Sequence, residues 1–536
     1  MGRRSQRPRV CVALSFGGLL GASLSIATPL HAAPPTSRPT SLPASRPDSS
    51  PTTRAASGKP ASPTPRYGSV IRGQRVRRRA PADDPSSFST RVEVDPQSPA
   101  ELPALLAEVP GLKLRDQGGG QRQALLLRGA ESHRVAVFLD GVRLNAPGGG
   151  GVDLALFDAA QLAAVEVRRS ASSMRYGAAA LGGAVILETP RLRRRRRTRL
   201  SLGYGSFDSL VGRAAHGGSW GRLRYWASGS YRQSDGDFAF VDSWNREAVR
   251  INNDSRRGEL LLKADMDVGD WRLALLESLL LAERGMPGPL AGRDDTRQGD
   301  LRQVLALTAR RVDPWVEGAL LRLGLSHRLQ RLRFDAAAAA QRSRNSIHSV
   351  EARANLLLPM AGWGRVDLGA ELRGELFVDD LGASGEEPVG DHQRLLGDVF
   401  VSAQFQLWPE RLRVVAGLRL ASASDYGAQL LPKLGLLVSL WKSDAGYVEI
   451  VANAGRSVRY PAFSELYARF EGIRGDPSLE PEDALAADGG LRLGLSWLRL
   501  EGAYFRRLLV NAIRFAAIDS QTMMAAQNFG FVHVQG

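Results

Sequence analysis

A few groups of residues in this chain have types and spacings that could do chemistry. Gly217-Gly218-Ser219-Trp220-Gly221 fits the Gly-x-Ser-x-Gly spacing of a nucleophile elbow, where a strand-to-helix turn exposes a serine. Here the run lies between two alternating segments with no helix to follow, so it reads as a hairpin turn. Asp235, Asp237, Asp242 and Asp254 fall in one polar stretch and could offer the hard oxygen ligands that calcium takes. A solvated acidic loop has the same composition. The seven histidines are scattered, and His133 stands alone in a turn. No Walker loop, Rossmann fingerprint or His-Glu-x-x-His run is present. The single cysteine, Cys11, sits in an amino-terminal leader, which leaves the mature chain no disulfide and no thiolate metal site. No catalytic residue and no cofactor are expected, and the chain is not read as an enzyme.

Charge and composition narrow the class further. The formal charge of +16 suggests nucleic acid until it is mapped, because residues 1–79 hold 14 Lys and Arg against one acid and the remainder carries only +3. Much of that remainder is one cluster, Arg191, Arg193 to Arg197 and Arg199, so a nucleic-acid-binding face is disfavoured. Residues 1–32 have the grammar of a signal peptide: a basic start at Arg3, Arg4, Arg7 and Arg9, an apolar stretch from Val10 to Ile26, and Leu30-His31-Ala32 for cleavage. Residues 33–88 then read as a disordered tether, with nine prolines between Pro34 and Arg66. One β-prone island interrupts it at Tyr67-Gly68-Ser69-Val70-Ile71-Arg72-Gly73, able to add itself as a strand to a partner's sheet edge.

The elements that follow fall into two grammars. Between Leu102 and Thr189 come short glycine-punctuated strands: Val109-Pro110-Gly111-Leu112, Leu127-Arg128-Gly129-Ala130, Val135 to Asn145, Val165-Glu166-Val167, Tyr176-Gly177-Ala178 and Ala180 to Ile186. Val135 to Leu139 is continuously apolar, as in a strand covered on both faces, and Asp140-Gly141 supplies a tight turn. Gly177, Gly182 and Gly183 fit places where a backbone passes close to a wall. After Thr189 the period is two: Leu200, Leu202 and Tyr204 oppose Arg199, Ser201 and Gly203, and Leu412 to Leu420 opposes Arg411, Arg413 and Arg419. Short turns such as Val268-Gly269-Asp270 alternate with long polar loops at 234–255, 283–299 and 469–483. With an export signal and no long apolar run, this predicts a mainly β fold, a transmembrane antiparallel β-barrel in an outer membrane.

In order and spacing, the fragments from Leu102 to Thr189 resemble the plug of TonB-dependent outer-membrane receptors, most closely the cobalamin-receptor-like branch. A second run, Tyr460-Pro461-Ala462-Phe463-Ser464-Glu465-Leu466-Tyr467 followed by Gly475 to Glu482, resembles the family's Asn-Pro-Asp-Leu-Lys-Pro-Glu signature before a barrel strand. Arg169-Ser170-Ala171 departs from the family's Arg-Gly-Pro. The resemblance implies an α+β plug at 89–190 inside a barrel at 198–536, with the plug signature at Arg128, Gly129, Asp140, Gly141, Tyr176, Gly177, Gly182 and Gly183. It makes Arg128 one of the plug arginines that meet acids on the wall. It makes Tyr67, Ser69, Val70 and Ile71 the TonB-binding box, although the box departs from the commoner acidic-Thr-Val-Val-Val-Thr pattern. Ligand contact is expected at the plug apex, on Arg115, Gln117, Gln121, Arg143 and Asn145.

From Arg199 onward there is room for about 16 strands of ~10 residues, whereas the family's barrel has about 22. The expectation is therefore an incomplete, C-terminally truncated barrel with two unpaired edges. The functional expectation is a monomeric Gram-negative receptor and active transporter, with TonB, outer-membrane lipid and a small nutrient such as cobalamin or a ferric siderophore as partners. The alternative is a surface receptor or adhesion barrel that moves nothing.

Overall fold

The structure is a computed structural model that describes residues 84–536 apart from 96–100, 117–122, 147–150, 170–172, 178–179, 242–244, 288–294, 337–340, 381–389, 409–410, 468, 471–472 and 518–523. Tyr67, Ser69, Val70, Ile71, Gln117, Gln121, Ser170 and Asp242 lie outside the described residues, as does the signal peptide.

Seven short strands build the first domain: β1 (Ser89–Glu93), β2 (Leu112–Asp116), β3 (Gln123–Leu127), β4 (Val135–Leu139), β5 (Val142–Arg143), β6 (Ala164–Arg168) and β7 (Gly183–Glu188). Five of them make one mixed sheet in the order β1-β6-β7-β4-β5, with β4 and β7 parallel, while β2 and β3 pair separately. Every residue of β4 is buried, which is what its unbroken apolar run requires. Asp140 and Gly141, at φ 46° and 92°, form the two-residue turn that sets Leu139 opposite Val142. Gly183 has φ +123°, and a Cβ there would stand 2.2 Å from the Arg168 carbonyl, so glycine is what lets β7 lie against β6.

The tether was expected to extend through residue 88, but Asp84–Phe88 is already packed against the wall. Asp84 pairs with Lys433, Ser86 Oγ donates to Asn453 Oδ1 (2.7 Å), and Arg492 Nη2 donates to the Ser87 carbonyl (2.6 Å). Polar partners supplied by the wall, which local sequence cannot reveal, order these five residues.

Sixteen long strands, from Arg197–Gly205 to Met524–Gln535, form the wall, each antiparallel to its neighbour. They run from 9 to 20 residues, most of them longer than the ~10 needed to cross a bilayer, so many project beyond the apolar band. Alternation sorts their side chains. On Leu412–Ala423, Leu418 and Leu420 face outward at 41% and 44% exposure, while Arg419 between them is fully buried inside. Leu430, Leu434, Leu485 and Leu491 repeat the outward pattern.

Pairing runs strand by strand from Arg197–Gly205 round to Met524–Gln535, but among the described residues no register joins these two strands to each other, in line with the expectation of two edges not paired together. Arg197–Gly205 accordingly has little cover: Leu202 is 81% exposed, about twice the value at Leu418.

The two ends of the barrel differ. At one end seven hairpins turn within a few residues, for example at 221–222, 269–270, 361–363 and 444–445. At the other end lie the long connections at 235–254, 286–295, 381–391 and 460–481. Each of the seven short hairpins carries one tryptophan at or beside its turn: Trp220, Trp271, Trp315, Trp363, Trp408, Trp441 and Trp497. Indole rings collect where apolar surface meets headgroups, so this ring marks one membrane interface. Leu434→Arg on the outward band is expected to cost about 2–4 kcal/mol in lipid vesicles. Urea unfolding in vesicles checks it, and a change near zero would show that this face does not meet lipid.

Candidate functional site

The seat of the inner domain combines apolar contacts, such as Leu181 on Ala484, Leu509 and Ala512 and Met174 on Leu396, Ala421 and Leu431, with a set of charged and polar ones. Arg128 Nη1 donates to Asp488 Oδ2 (3.1 Å), its guanidinium lying 4.6 Å above the Phe505 ring and both ionic partners buried. Arg128 is itself held at φ 48°, a left-handed conformation costly for a residue with a side chain. Burial pulls its guanidinium below the usual value, and the Asp488 charge opposes that. Asp140, at the β4–β5 turn, accepts from Lys263 Nζ (2.7 Å) and from the Thr189 backbone N–H (2.9 Å). Asp153 meets Arg284 (3.0 Å), and Asp158 takes both Arg213 nitrogens (2.6 and 2.9 Å). Burial pushes the Asp158 carboxyl up, but the Arg213 hydrogen bonds and charge outweigh it and leave the group below its usual range.

The densest contact lies toward the long-loop end. Arg134, in the turn before β4, donates to both oxygens of Glu482 (3.1 Å from Nε, 2.6 Å from Nη2) and to the Ile513 carbonyl (3.0 Å). Glu482 also accepts from Arg459 Nε (2.5 Å), and Arg459 forks onto Glu465 at 2.9 and 3.0 Å. Glu465 belongs to the Tyr460–Tyr467 run, while Glu482 ends the Asp476–Glu482 signature. Both wall motifs thus supply a carboxylate to one buried network that grips a single arginine of the inner domain. Arg134 was not singled out in the sequence, because Glu-Ser-His-Arg looks like any polar turn and its partner is 348 residues away.

The remaining expected residues divide. Gly177, at φ +73°, leaves room for Arg143, whose Nη2 would lie 2.5 Å from a Cβ there. Arg143 is buried, donates to the Tyr176 carbonyl and stacks over Phe138 at 5.3 Å, and burial pulls its guanidinium down to about 10. Tyr176 packs on the same Phe138 ring at 5.1 Å. Asn145 uses both ends of its amide on β4, accepting from Val137 N–H (2.7 Å) and donating to the Val135 carbonyl (2.9 Å). Arg143 and Asn145 were expected to touch ligand; Asn145 spends its amide inside the domain, and Arg143 is buried with Nη2 on the Tyr176 carbonyl. Gly182 and Gly129 sit close to Ala130 and to Val534 of the wall, respectively. Arg115 is exposed on β2.

Aromatic wall residues stand beside the apical loop instead. Ala146 packs against the cluster of Phe377 and Phe463. The His392 ring stacks on Tyr467 at 3.6 Å and 3°, and Arg394 lies 5.0 Å over Phe463 and 5.5 Å over Tyr426. Tyr426 stacks on Tyr460 at 5.8 Å, and burial pushes the Tyr460 phenol up to about 12, which keeps it protonated. These residues come from three separate connections at the long-loop end, so no local pattern announces them.

Ser219 sits at the end of strand Ser209–Trp220, its hydroxyl donating to the Arg194 carbonyl (3.1 Å), and Gly221 makes a hairpin turn at φ +59°. Asp254 is clamped by Arg297 at 2.7 and 2.8 Å, and the described residues do not gather Asp235, Asp237 and Asp254 into a metal cluster.

A strand barrel with an apolar exterior, a tryptophan rim and an inner domain fixed by ion pairs defines a plugged outer-membrane receptor. Residues 82–184 match the TonB-dependent Receptor Plug Domain, and residues 188–536 match the TonB dependent receptor-like β-barrel. The chain belongs to the TonB-dependent receptors and resides in the outer membrane of a Gram-negative bacterium. It is 21% identical over 464 residues to the vitamin B12 transporter BtuB of Vibrio vulnificus strain YJ016, covering 84% of this chain and 71% of that protein. The ferric enterobactin receptor PfeA of Pseudomonas aeruginosa superposes with a TM-score of 0.68 at 16% identity, covering 85% of this chain and 77% of that one. The Serratia marcescens hemophore receptor HasR superposes at 0.70 and 16% identity, covering 84% and 78%.

Removing the shared carboxylate leaves two buried arginines facing each other. Glu482→Ala is expected to cost about 3–5 kcal/mol. Arg456→Ala, which breaks a half-exposed pair with Asp483, should cost about 0–1 kcal/mol. Hydrogen exchange at Val135–Leu139 reports the difference, and equal protection in the two variants would mean that the network does not hold the domain.

Proposed function

We propose that this receptor imports a bulky, scarce nutrient of the cobalamin or ferric-siderophore kind, with TonB pulling on residues 67–73. The observation that carries the reading is the set of buried ion pairs across the seat. An inner domain fixed by apolar packing alone would come out only by exposing oily surface, whereas ion pairs can be rehydrated one by one as it moves. A receptor or adhesion barrel that transports nothing has no need of a releasable seat, so import is favoured over that alternative. Ligand recognition is assigned to Arg115, Gln117 and Gln121 and to the aromatic wall, His392 and Tyr467 foremost. The relatives' names support the nutrient class: one transports vitamin B12, one receives ferric enterobactin and one receives a heme-carrying hemophore.

Whole-cell uptake of labelled cobalamin, ferric siderophores and heme, each competed against the others, identifies the nutrient. Two variants then separate the steps. Val70→Pro, which removes a strand donor from the box, should abolish uptake and leave ligand binding intact. The double variant His392→Ala, Tyr467→Ala should weaken binding by at least about tenfold, the loss of two rings worth roughly 0.5–1.5 kcal/mol each beyond their burial. Full uptake by Val70→Pro, or unchanged affinity in the double variant, contradicts the corresponding assignment.

A further inference from the structure

Residues 189–196 join the last plug strand, β7, to the first wall strand at Arg197. Seven of the nine residues from Arg191 to Arg199 are arginine, and the run contains no acid. Arg191 and Arg193–Arg197 are exposed, and neither the seat nor the aromatic wall uses them. Among the described residues the guanidiniums of Arg193–Arg197 close no ion pair. The nearby acid facing Arg194, Asp267, is already bonded to Arg272 at 2.6 Å. Five adjacent like charges repel one another, and a chain keeps them together at low cost only where an anion neutralises them.

Their position indicates which anion. The run lies on the rim that carries the tryptophans: Ser219 Oγ donates to the Arg194 carbonyl at 3.1 Å, and Trp220 next to it is 83% exposed. Arg196 lies on the neighbouring wall strand at Gly218, where a Cβ would stand 2.9 Å from Arg196 Cγ. Leu200 and Leu202, further along the same chain, face outward at 76% and 81% exposure. Cationic forks thus stand at the level of the indole ring, directly beside lipid-facing leucines. Free phosphate would require no such placement, whereas a phospholipid puts its phosphate at the indole level and its acyl chains along the leucines.

We propose that Arg193–Arg197 clamp anionic phospholipid of the periplasmic leaflet. Guanidinium forks hold the headgroup phosphates, and Arg196 is placed against the wall by the space at Gly218. The clamp fixes the carboxyl-terminal end of the plug to the membrane, so a pull on its amino-terminal end unravels the domain from one side and cannot drag it out whole.

Native mass spectrometry of the full chain, released from nanodiscs of phosphatidylglycerol or of phosphatidylcholine, tests the clamp independently of any transport. Retention of phosphatidylglycerol over phosphatidylcholine is expected for the native protein. It should fall at least about tenfold when all five arginines become glutamine, since each cation near an anionic surface contributes on the order of 1 kcal/mol. Five lysines in their place should keep most of it. Tryptophan fluorescence confirms that each variant is folded. Equal retention by the glutamine variant, equal retention of the two lipids, or saturation of the run by an acidic protein in preference to vesicles would each overturn the proposal.

Discussion

Every backbone N–H and C=O that crosses hydrocarbon must find its partner within the protein, and the rest of this structure depends on that constraint. It requires strands to pair side by side around a ring. Pairing makes side chains alternate, and alternation sends leucine to lipid and arginine, glutamate and aspartate to the lumen. Arg419, fully buried between Leu418 and Leu420, is the rule in one strand. Charges that line the lumen need partners. The inner domain offers them countercharges: Arg128 to Asp488, Arg134 to Glu482, Asp140 to Lys263 and Asp158 to Arg213.

Such pairs locate more than they stabilise. Desolvation takes back most of what each attraction provides, but an unmatched charge is costly, so the domain has one register in the barrel and little tolerance for any other. The same balance makes departure feasible, since each group that leaves its partner can be solvated by incoming water. The Arg134–Glu482–Arg459–Glu465 network shows how position and release are combined: one plug arginine enters an acid pair that the wall has already organised. The aromatic surface of His392, Tyr467 and Phe463 stands at the same end, beside Ala146 of the plug. The aromatic surface and the charged network therefore meet the plug at the same end of the barrel.

Much of the architecture was legible because it is periodic or punctuated. Alternation gave the wall, Asp140-Gly141 gave a turn, and chain length gave a strand number near sixteen. What was not legible depends on contacts far apart in sequence. Arg134 is indistinguishable from a surface arginine until Glu482 is brought to it. Arg143 and Asn145 look like apical polar residues, yet the carbonyl of Tyr176 and the edge of β4 claim them. Asp84–Phe88 continues a disordered composition and is ordered by Lys433, Asn453 and Arg492. The ring of tryptophans was also missed, because single indoles spaced 33–56 residues apart form a ring only once the hairpins are aligned.

The central claim is that the plug is a separate, charge-seated domain removable from an intact barrel. Single-molecule pulling on the amino-terminal tether of the receptor in a supported bilayer tests it most directly. The account predicts extension confined to residues preceding the first wall strand at Arg197, with the barrel remaining in the membrane and the extension reversing when force is relaxed. Extraction of wall strands together with the plug, in one event, would contradict it.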